Sequence, residues 1–337
     1  MAETINKINQ NNIIKQIRSK YIVIKIFDNL KENKLLDIIH YNKKYQKLMN
    51  KKLKDYKNEF LKIELEIIPK KNIYGHFINI FDEKSIGNFH IYFNDNNKEI
   101  DSNIITKDDK VTKIKIIIDH KIKSFFGLFF ACSCIKKISF IKFNRNDINS
   151  MKGMFGNCSS LTEINFFKFN TNKVKSMAGM FCDCSSLKVL NLSNFNTSNV
   201  IDMRGMFGGC RSLKEINFNG FNTDNVTKMG KMFTGCSSLK ALDLSNFNTN
   251  NVIYFYCMFE GCRSLKELNL SNFNTNKATN MVNMFKDCSS LKVLNISNFN
   301  INEKTDISGL FKYCSSKLNS ICNNELIKYQ YEYDKLF

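Results

Sequence analysis

The chain has 337 residues, 43% hydrophobic and 24% charged, which is enough for a large core and more than one domain. Its formal net charge of +19 is a balance found in proteins that bind nucleic acid or acidic membranes. Because lysine and asparagine are both abundant, we interpret the charge as general compositional bias. Residues 1–20 lack an apolar signal-peptide segment, and no run approaches the roughly 18 apolar residues of a membrane helix. We therefore expect a cytoplasmic protein with reduced thiols, with the cell surface as the alternative location.

The N-terminal segment carries apolar residues at helical spacing, which predicts three short helices over residues 20–30, 33–40 and 42–53. With Phe27, Leu30, Leu35 and Leu36 at the matching positions, this segment loosely resembles an F-box. That resemblance implies a substrate receptor of a ubiquitin ligase, which would hold a Skp-type adaptor protein. The alternative is a helical module of a different use.

Residues 60–120 change to a period of two, since Ile63, Leu65 and Ile67 alternate with Glu64 and Glu66. This alternation is typical of half-buried strands. Further strands are predicted at residues 77–81, 90–93 and 113–118. The end of a repeat array exposes apolar rows and unpaired backbone groups, so a cover is needed there. We interpret this segment as a small β-rich cap over the first repeat.

A repeat of fixed length follows, in which a cysteine and a phenylalanine three positions before it recur at constant 26-residue steps. Such a period indicates a solenoid, in which each repeat packs against its neighbours. The cysteines are Cys132, Cys158, Cys184, Cys210, Cys236, Cys262, Cys288 and Cys314, and the phenylalanines are Phe129, Phe155, Phe181, Phe207, Phe233, Phe259, Phe285 and Phe311.

Within one repeat, residues 199–223, the pattern changes from helical to strand-like. Apolar residues between Val200 and Cys210 recur at steps of three and four, which predicts a short helix or helical turn. Leu213, Ile216 and Phe218 then follow the Leu-x-x-Leu-x-Leu spacing of a leucine-rich-repeat strand. Ile216 and Phe218 should point inward while Asn217 points outward.

The repeated positions predict continuous rows of like residues. One inward row runs from Ile138 to Leu294 and another from Phe143 to Phe299, each with one member per repeat. The cysteine row has three interpretations: zinc ligands, a disulfide ladder or small buried core residues. We favour the buried core, because zinc needs clustered ligands and the repeats contain no histidine. The asparagine row from Asn144 to Asn300 is interpreted as a buried ladder that satisfies turn backbone groups.

The phrase Met-x-x-Met-Phe-x-x-Cys-Ser-Ser-Leu-Lys-x-Leu-Asn-Leu-Ser-Asn-Phe-Asn-Thr closely resembles the BspA-type leucine-rich repeats, and residues 177–197 and 281–300 carry it almost intact. The resemblance implies an α/β solenoid with a curved parallel sheet, short helices or turns on the convex side, and no catalytic residues. It also implies a surface adhesin that binds host proteins as one alternative function. The last repeat departs from the pattern, so the tail is expected to form a cap with a short helix near residues 324–331.

The domains expected are a helical N-terminal module at 1–58, a β-rich cap at 59–124, the repeats at 125–318 and a C-terminal cap at 319–337. The sequence shows no nucleophile–base pair, phosphate loop or metal motif, so we expect a non-enzymatic scaffold without cofactor or metal. We expect a monomer that binds a protein partner, with no nucleic acid bound.

Recognition is expected on the concave face of the repeat sheet, where outward strand positions form a polar, slightly acidic strip. Lys136 and Lys137 lie at its N-terminal end. The predicted contact residues are Glu163, Asn165, Asn191, Glu215, Asn217, Asp243, Glu267, Asn269 and Asn295.

Overall fold

A computed structural model describes residue 58 and residues 61–81, 83–166 and 169–336. Residues 63–337 form one compact unit. The three predicted helices between residues 20 and 53, and with them the F-box-like segment, lie outside the described residues.

Short strands and turns make up most of the described chain after residue 60, and its helices are one 3-10 helix, Glu83–Asn88, and one α-helix, α1, Glu325–Asp334. The strands form sheets of five, three, two and two strands, of mixed type, and no sheet among these residues closes into a barrel. The strands are β1 (Ile63–Pro69), β2 (Gly75–His76), β3 (Phe89–Phe93), β4 (Ile104–Ile105), β5 (Ile114–Ile118), β6 (Ile135–Phe143), β7 (Glu163–Asn165), β8 (Val189–Asn191), β9 (Glu215–Asn217), β10 (Glu267–Asn269), β11 (Val293–Asn295) and β12 (Asn319–Ile321).

The predicted period-two segment forms a sheet with the order β3-β5-β1-β6-β7. The alternation in β1 is confirmed, since Ile63, Leu65 and Ile67 are fully buried. Strands at 90–93 and 113–118 are also confirmed, as β3 and β5. The strand predicted at 77–81 is wrong: Phe77 and Ile78 are buried but lie just beyond the two-residue strand β2.

Strand β6 connects this sheet to the repeats. It pairs antiparallel with β1 on one side and parallel with β7 on the other. In the parallel pair Ile138 lies opposite Ile164, which is the same position one repeat later. The edge of the first repeat is therefore covered by β1, and its backbone groups are paired.

Successive repeats are joined by parallel bridges between equivalent positions, from Ser124 with Ser150 through to Asn280 with Asp306. Between the bridges, every second N–H donates to a carbonyl of the next repeat. Met151, Gly153, Phe155 and Asn157 do so at 2.7–3.0 Å, in a pattern that recurs along the array. The intervening N–H groups bond three residues back inside their own repeat, as Met154 does to Met151. In this segment of each repeat, about half of the backbone N–H groups thus hold adjacent repeats together.

Of the two alternatives predicted for the first half of each repeat, a short helix or a helical turn, the structure has turns. Two residues per repeat adopt positive φ, such as Gly153 at 62° and Asn157 at 58°. Two residues in the left-handed conformation, four positions apart, prevent the segment from continuing as a right-handed helix. Glycine, asparagine or aspartate occupies most of these positions because their steric cost there is low.

The phenylalanine row forms a continuous column of nearly parallel rings. From Phe129 to Phe311, each ring contacts the ring one repeat later at a centroid distance of 5.5–5.8 Å and an interplanar angle of at most 14°. These rings are at most 2% exposed. The second phenylalanine row, from Phe143 to Phe299, is also buried. Both inward phenylalanine rows are confirmed, and they supply much of the apolar burial.

The cysteine row is buried as predicted, and it also makes directed contacts between repeats. The thiol of Cys158 donates to the carbonyl of Phe129 at 2.9 Å, and the same bond recurs in each later repeat up to the thiol of Cys314 at 3.0 Å. All twelve cysteines are free thiols. Burial raises the pKa of these thiols, to about 12 for Cys262.

The buried polar ladder is made of threonine, so the prediction of a buried asparagine ladder is wrong. Thr223, only 1% exposed, donates its hydroxyl to the carbonyl of Asn248 at 2.7 Å and accepts the N–H of the same residue at 2.8 Å. Four more threonines donate in the same way at 2.7–2.9 Å. The asparagine side chains of the row lie at the surface and accept from the backbone two residues on, as Asn248 does from Asn250.

The C-terminal helix predicted near residues 324–331 is confirmed as α1, and it closes the last repeat. In earlier repeats the N–H of the column phenylalanine donates to a carbonyl of the next repeat, as Phe285 does to Leu310 at 3.0 Å. Phe311 has no following repeat, and its N–H donates to the carboxylate of Asp334 at 2.8 Å. Tyr331 packs edge-on against the ring of Phe311 at 5.3 Å. The helix therefore supplies an acceptor and a ring where the repeats end.

A first prediction concerns the phenylalanine column. Replacing Phe207 by alanine should lower the free energy of unfolding by about 3–5 kcal/mol, because the ring leaves a cavity between two fixed neighbours. Replacing Lys188 or Val189 by alanine, both exposed, should change it little. Chemical denaturation measures all three variants, and equal stabilities would contradict the assignment of the buried row.

A second prediction concerns the carboxylate of Asp334. Its replacement by alanine leaves the buried N–H of Phe311 without an acceptor and should cost about 1–3 kcal/mol. Asp334→Asn keeps an acceptor oxygen and should cost less. The control is Glu332→Ala, which removes only an exposed ion pair with Lys335. If Glu332→Ala destabilises the chain as much as Asp334→Ala in thermal melts, the capping role of Asp334 is wrong.

A third prediction concerns the thiols. Native protein should react slowly with a thiol reagent at neutral pH, because burial keeps the thiols inaccessible and raises their pKa values. The same protein in denaturant should titrate 12 thiols. Half-buried Cys182 and Cys257 should be the first to react. Rapid reaction of most thiols in the native state would contradict the buried ladder.

Candidate functional site

The predicted contact residues lie together on one side of the repeats, which we name the strand face. It consists of the outward positions of β7 to β11 together with residues 240–243. Asn217 and Asn295 are half-buried, and the other seven predicted residues are exposed. Those seven are Glu163, Asn165, Asn191, Glu215, Asp243, Glu267 and Asn269.

The last residue of each outward strand segment is held in a fixed orientation. The side-chain oxygens of Asn191, Asn217 and Asp243 accept the backbone N–H two residues on at 2.9–3.0 Å, and Asn269 and Asn295 do the same at 3.0 and 3.1 Å. The bonds from Ser245 hold the pKa of Asp243 below its usual value. This row is therefore ordered before any partner arrives, which limits the entropy lost on binding.

The sheet on this face is interrupted, which differs from the continuous parallel sheet of the sequence prediction. β8 pairs with β9 and β10 pairs with β11, which pairs in turn with β12, but residues 241–243 between them pair with neither neighbour. The segment reads Ala-Leu-Asp, and alanine and aspartate are both poor strand formers. The inward residues beside the gap, Ile216 and Leu242, remain half-buried.

A groove of about 730 Å³ lies at this interruption and spans three consecutive repeats. Its middle holds the aliphatic residues Val189, at 57% exposure, Ile216, Ala241 and Leu242, together with Glu215, which lies opposite Val189. Its edges are polar. The full lining is Val189, Leu190, Asn191, Lys214, Glu215, Ile216, Asn217, Lys240, Ala241, Leu242 and Asp243.

A row of lysines borders the strand face, and the sequence prediction included only its first member, Lys136. Each lysine directly precedes an outward strand position and is exposed, and all six occupy the same position of their repeats. The signal was present in the sequence, because the same residue type recurs at one repeat position. We name Lys136, Lys188, Lys214, Lys240, Lys266 and Lys292 the lysine row.

The charge of the face differs from the slightly acidic strip that was predicted. Glu163, Glu215, Asp243 and Glu267 are its acidic groups, against the six lysines of the lysine row and Lys137. Of the acidic groups, Glu163 is paired with Lys137 at 2.5 Å. The prediction of a slightly acidic strip describes the nine strand positions alone, and the face is basic only when the adjoining lysines are counted.

The described residues hold no group of three or more histidine, cysteine, aspartate or glutamate side chains that could bind a metal ion. In the described part of the chain, no helix is both long enough and apolar enough to cross a membrane. The strand face and the lysine row together form an ordered surface on which residues of the same type recur from repeat to repeat. Such a surface can contact an elongated ligand at several repeats at once.

Comparison with protein families matches residues 123–240 and 210–324 to one family, described as "Mycoplasma protein of unknown function, DUF285". No curated protein matches the chain. The two matched segments overlap and together span residues 123–324, which is more than half of the chain and includes the repeats, the groove and the lysine row. The chain therefore belongs to the DUF285 family of repeat proteins.

Proposed function

We propose that this protein is a non-enzymatic interaction scaffold, in which residues 125–318 form a leucine-rich-repeat solenoid of the BspA type and bind a protein partner through the strand face. The observation that carries the proposal is the groove across residues 189–243, whose aliphatic middle is open to solvent between two polar edges. Exposed apolar surface with a polar rim is characteristic of protein interaction sites.

The backbone of the repeats supports this proposal. Each repeat is fixed to the next by hydrogen bonds from alternate N–H groups, by stacked rings and by thiol contacts. The strand face is thereby rigid, and binding to it orders few additional groups. The other side of the array consists of turns with less regular side chains, such as Ser176, Asp202, Lys228 and Tyr254 at one repeat position.

The proposal includes the domain organisation and the compartment. Residues 1–58 would be a helical module, residues 59–124 a cap and residues 319–337 a second cap. We propose a monomer in the cytoplasm, where thiols remain reduced without further protection. The thiols of the cysteine row donate to carbonyls one repeat earlier, an arrangement that suits reduced cysteines.

A fourth prediction tests the binding face by steric blockade. In the variant Val189→Trp with Ala241→Trp, two indole rings fill the groove. In affinity capture from the native cell, this variant should no longer retain partner proteins that the unaltered chain retains. The control is Ile201→Trp with Thr279→Trp, which places the same ring on exposed residues of the turn side. Control captures should match those of the unaltered chain.

Circular dichroism and thermal melts of both variants establish that each is folded before capture. If the control variant loses the partner and the groove variant retains it, binding occurs on the turn side and the proposed face is wrong. If neither variant loses any captured protein, the groove has no role in binding.

A further inference from the structure

We propose that the partner segment bound on the strand face is an acidic peptide with aliphatic side chains, whose carboxylates contact the lysine row while its aliphatic groups enter the groove. This inference rests on the proposed function and adds the chemistry of the ligand. It depends on the lysine row and not on the acidic strand positions that were expected from the sequence to make contact.

The first support is the continuity of the lysine row. The N–H of Lys214 donates to the carbonyl of Lys188 at 2.8 Å, and the N–H of Lys292 donates to the carbonyl of Lys266 at 2.7 Å. Lys188 and Lys214 are therefore neighbours in space, as are Lys266 and Lys292. Lys240 lies at the interruption between the two pairs, where the turn-side bridges still join successive repeats. At a strand spacing of about 4.8 Å, the five lysines from 188 to 292 span roughly 19 Å, the length of about six extended residues.

The second support is that these five lysines are exposed and make no ion pair with any described residue. Like charges held in a row repel one another, and an acidic ligand relieves that repulsion. The ligand complementary to this row is an anionic chain.

The groove distinguishes a peptide from a nucleic acid. Its middle is aliphatic, with Val189, Ala241 and Leu242, and its lining contains no aromatic ring on which a base could stack. Leucine, isoleucine or valine side chains of a peptide match this surface.

The edge opposite the lysines also suits a peptide. The side-chain oxygens of Asn191 and Asn217 are occupied by their own turns. Their amide nitrogens consequently remain as hydrogen-bond donors beside the groove. An extended peptide offers backbone carbonyls and carboxylates as acceptors along its whole length.

The test measures binding of the full chain to a fluorescent peptide of alternating glutamate and leucine, about eight residues long to span the row. Lys214→Glu with Lys240→Glu should weaken binding at least about tenfold, since each attractive contact becomes repulsive. The matched control is Lys173→Glu with Lys304→Glu, which makes the same change in net charge on exposed residues away from the strand face. The control should change binding less than about twofold.

Two further probes define the chemistry of the ligand. A peptide with serine in place of each leucine should bind about tenfold more weakly, because the aliphatic middle of the groove is left without a partner. An oligothymidylate of equal charge should bind more weakly than the glutamate–leucine peptide. The proposal is overturned if the oligothymidylate binds more tightly than the peptide and the double lysine variant loses that binding. The ligand of the strand face would then be a nucleic acid.

Equal loss in both charge variants would show unspecific attraction to a basic chain and would also overturn it. The Val189→Trp with Ala241→Trp variant separates this inference from the proposed function. If that variant loses the native partner while the double lysine variant retains it, the strand face binds a partner and the acidic chemistry is wrong. If the native partner is retained by both, the proposed function itself fails.

Discussion

The constraint on which the rest of the structure depends is the backbone bond from every second N–H of one repeat to a carbonyl of the next. It requires the same conformation at the same position in each repeat, because an insertion of one residue would place the wrong set of N–H groups toward the neighbour. A constant repeat length is thereby enforced by hydrogen bonding. The constant repeat length places equivalent positions of successive repeats next to one another. The ring column, the thiol bonds and the threonine ladder all follow from this alignment.

The first and last repeats of such an array each lack one neighbour, so that backbone N–H or C=O groups at these two ends would be unpaired. The chain covers the two ends in different ways. At the first repeat, β1 pairs antiparallel with β6 and supplies a full strand of partners. At the last repeat no further turn segment follows the one that begins at Asp306, and a carboxylate, that of Asp334, accepts from Phe311. The carboxylate takes the place of a backbone carbonyl, and its charge strengthens the bond.

Much of this fold was predictable from the sequence, because period and burial follow from residue type. The positions of the inward phenylalanines and buried cysteines were predicted correctly. For the turn segment the sequence left a short helix and a helical turn open, because apolar steps of three and four fit both a helix and turns in which alternate N–H groups bond to the next repeat. Positive φ at positions such as Lys231 and Cys257 has no sequence signal of its own. Threonine and asparagine are adjacent in each repeat, and only the structure decides which of the two is buried.

The candidate site shows why regular repeats still produce a particular place for binding. The contact residues were predictable because outward strand positions alternate with inward ones, but the groove arises from a departure from regularity. Where other repeats have Val-Leu-Asn, Glu-Leu-Asn or Glu-Ile-Asn, this one has Ala-Leu-Asp, and the ladder on both sides of it is interrupted. A second interruption lies between β7 and β8. The interruption at Ala-Leu-Asp exposes part of the inward aliphatic row without disturbing the bridges, rings and thiols behind it. Variation at the strand face is therefore tolerated by the core, and a binding site can change there without loss of the fold.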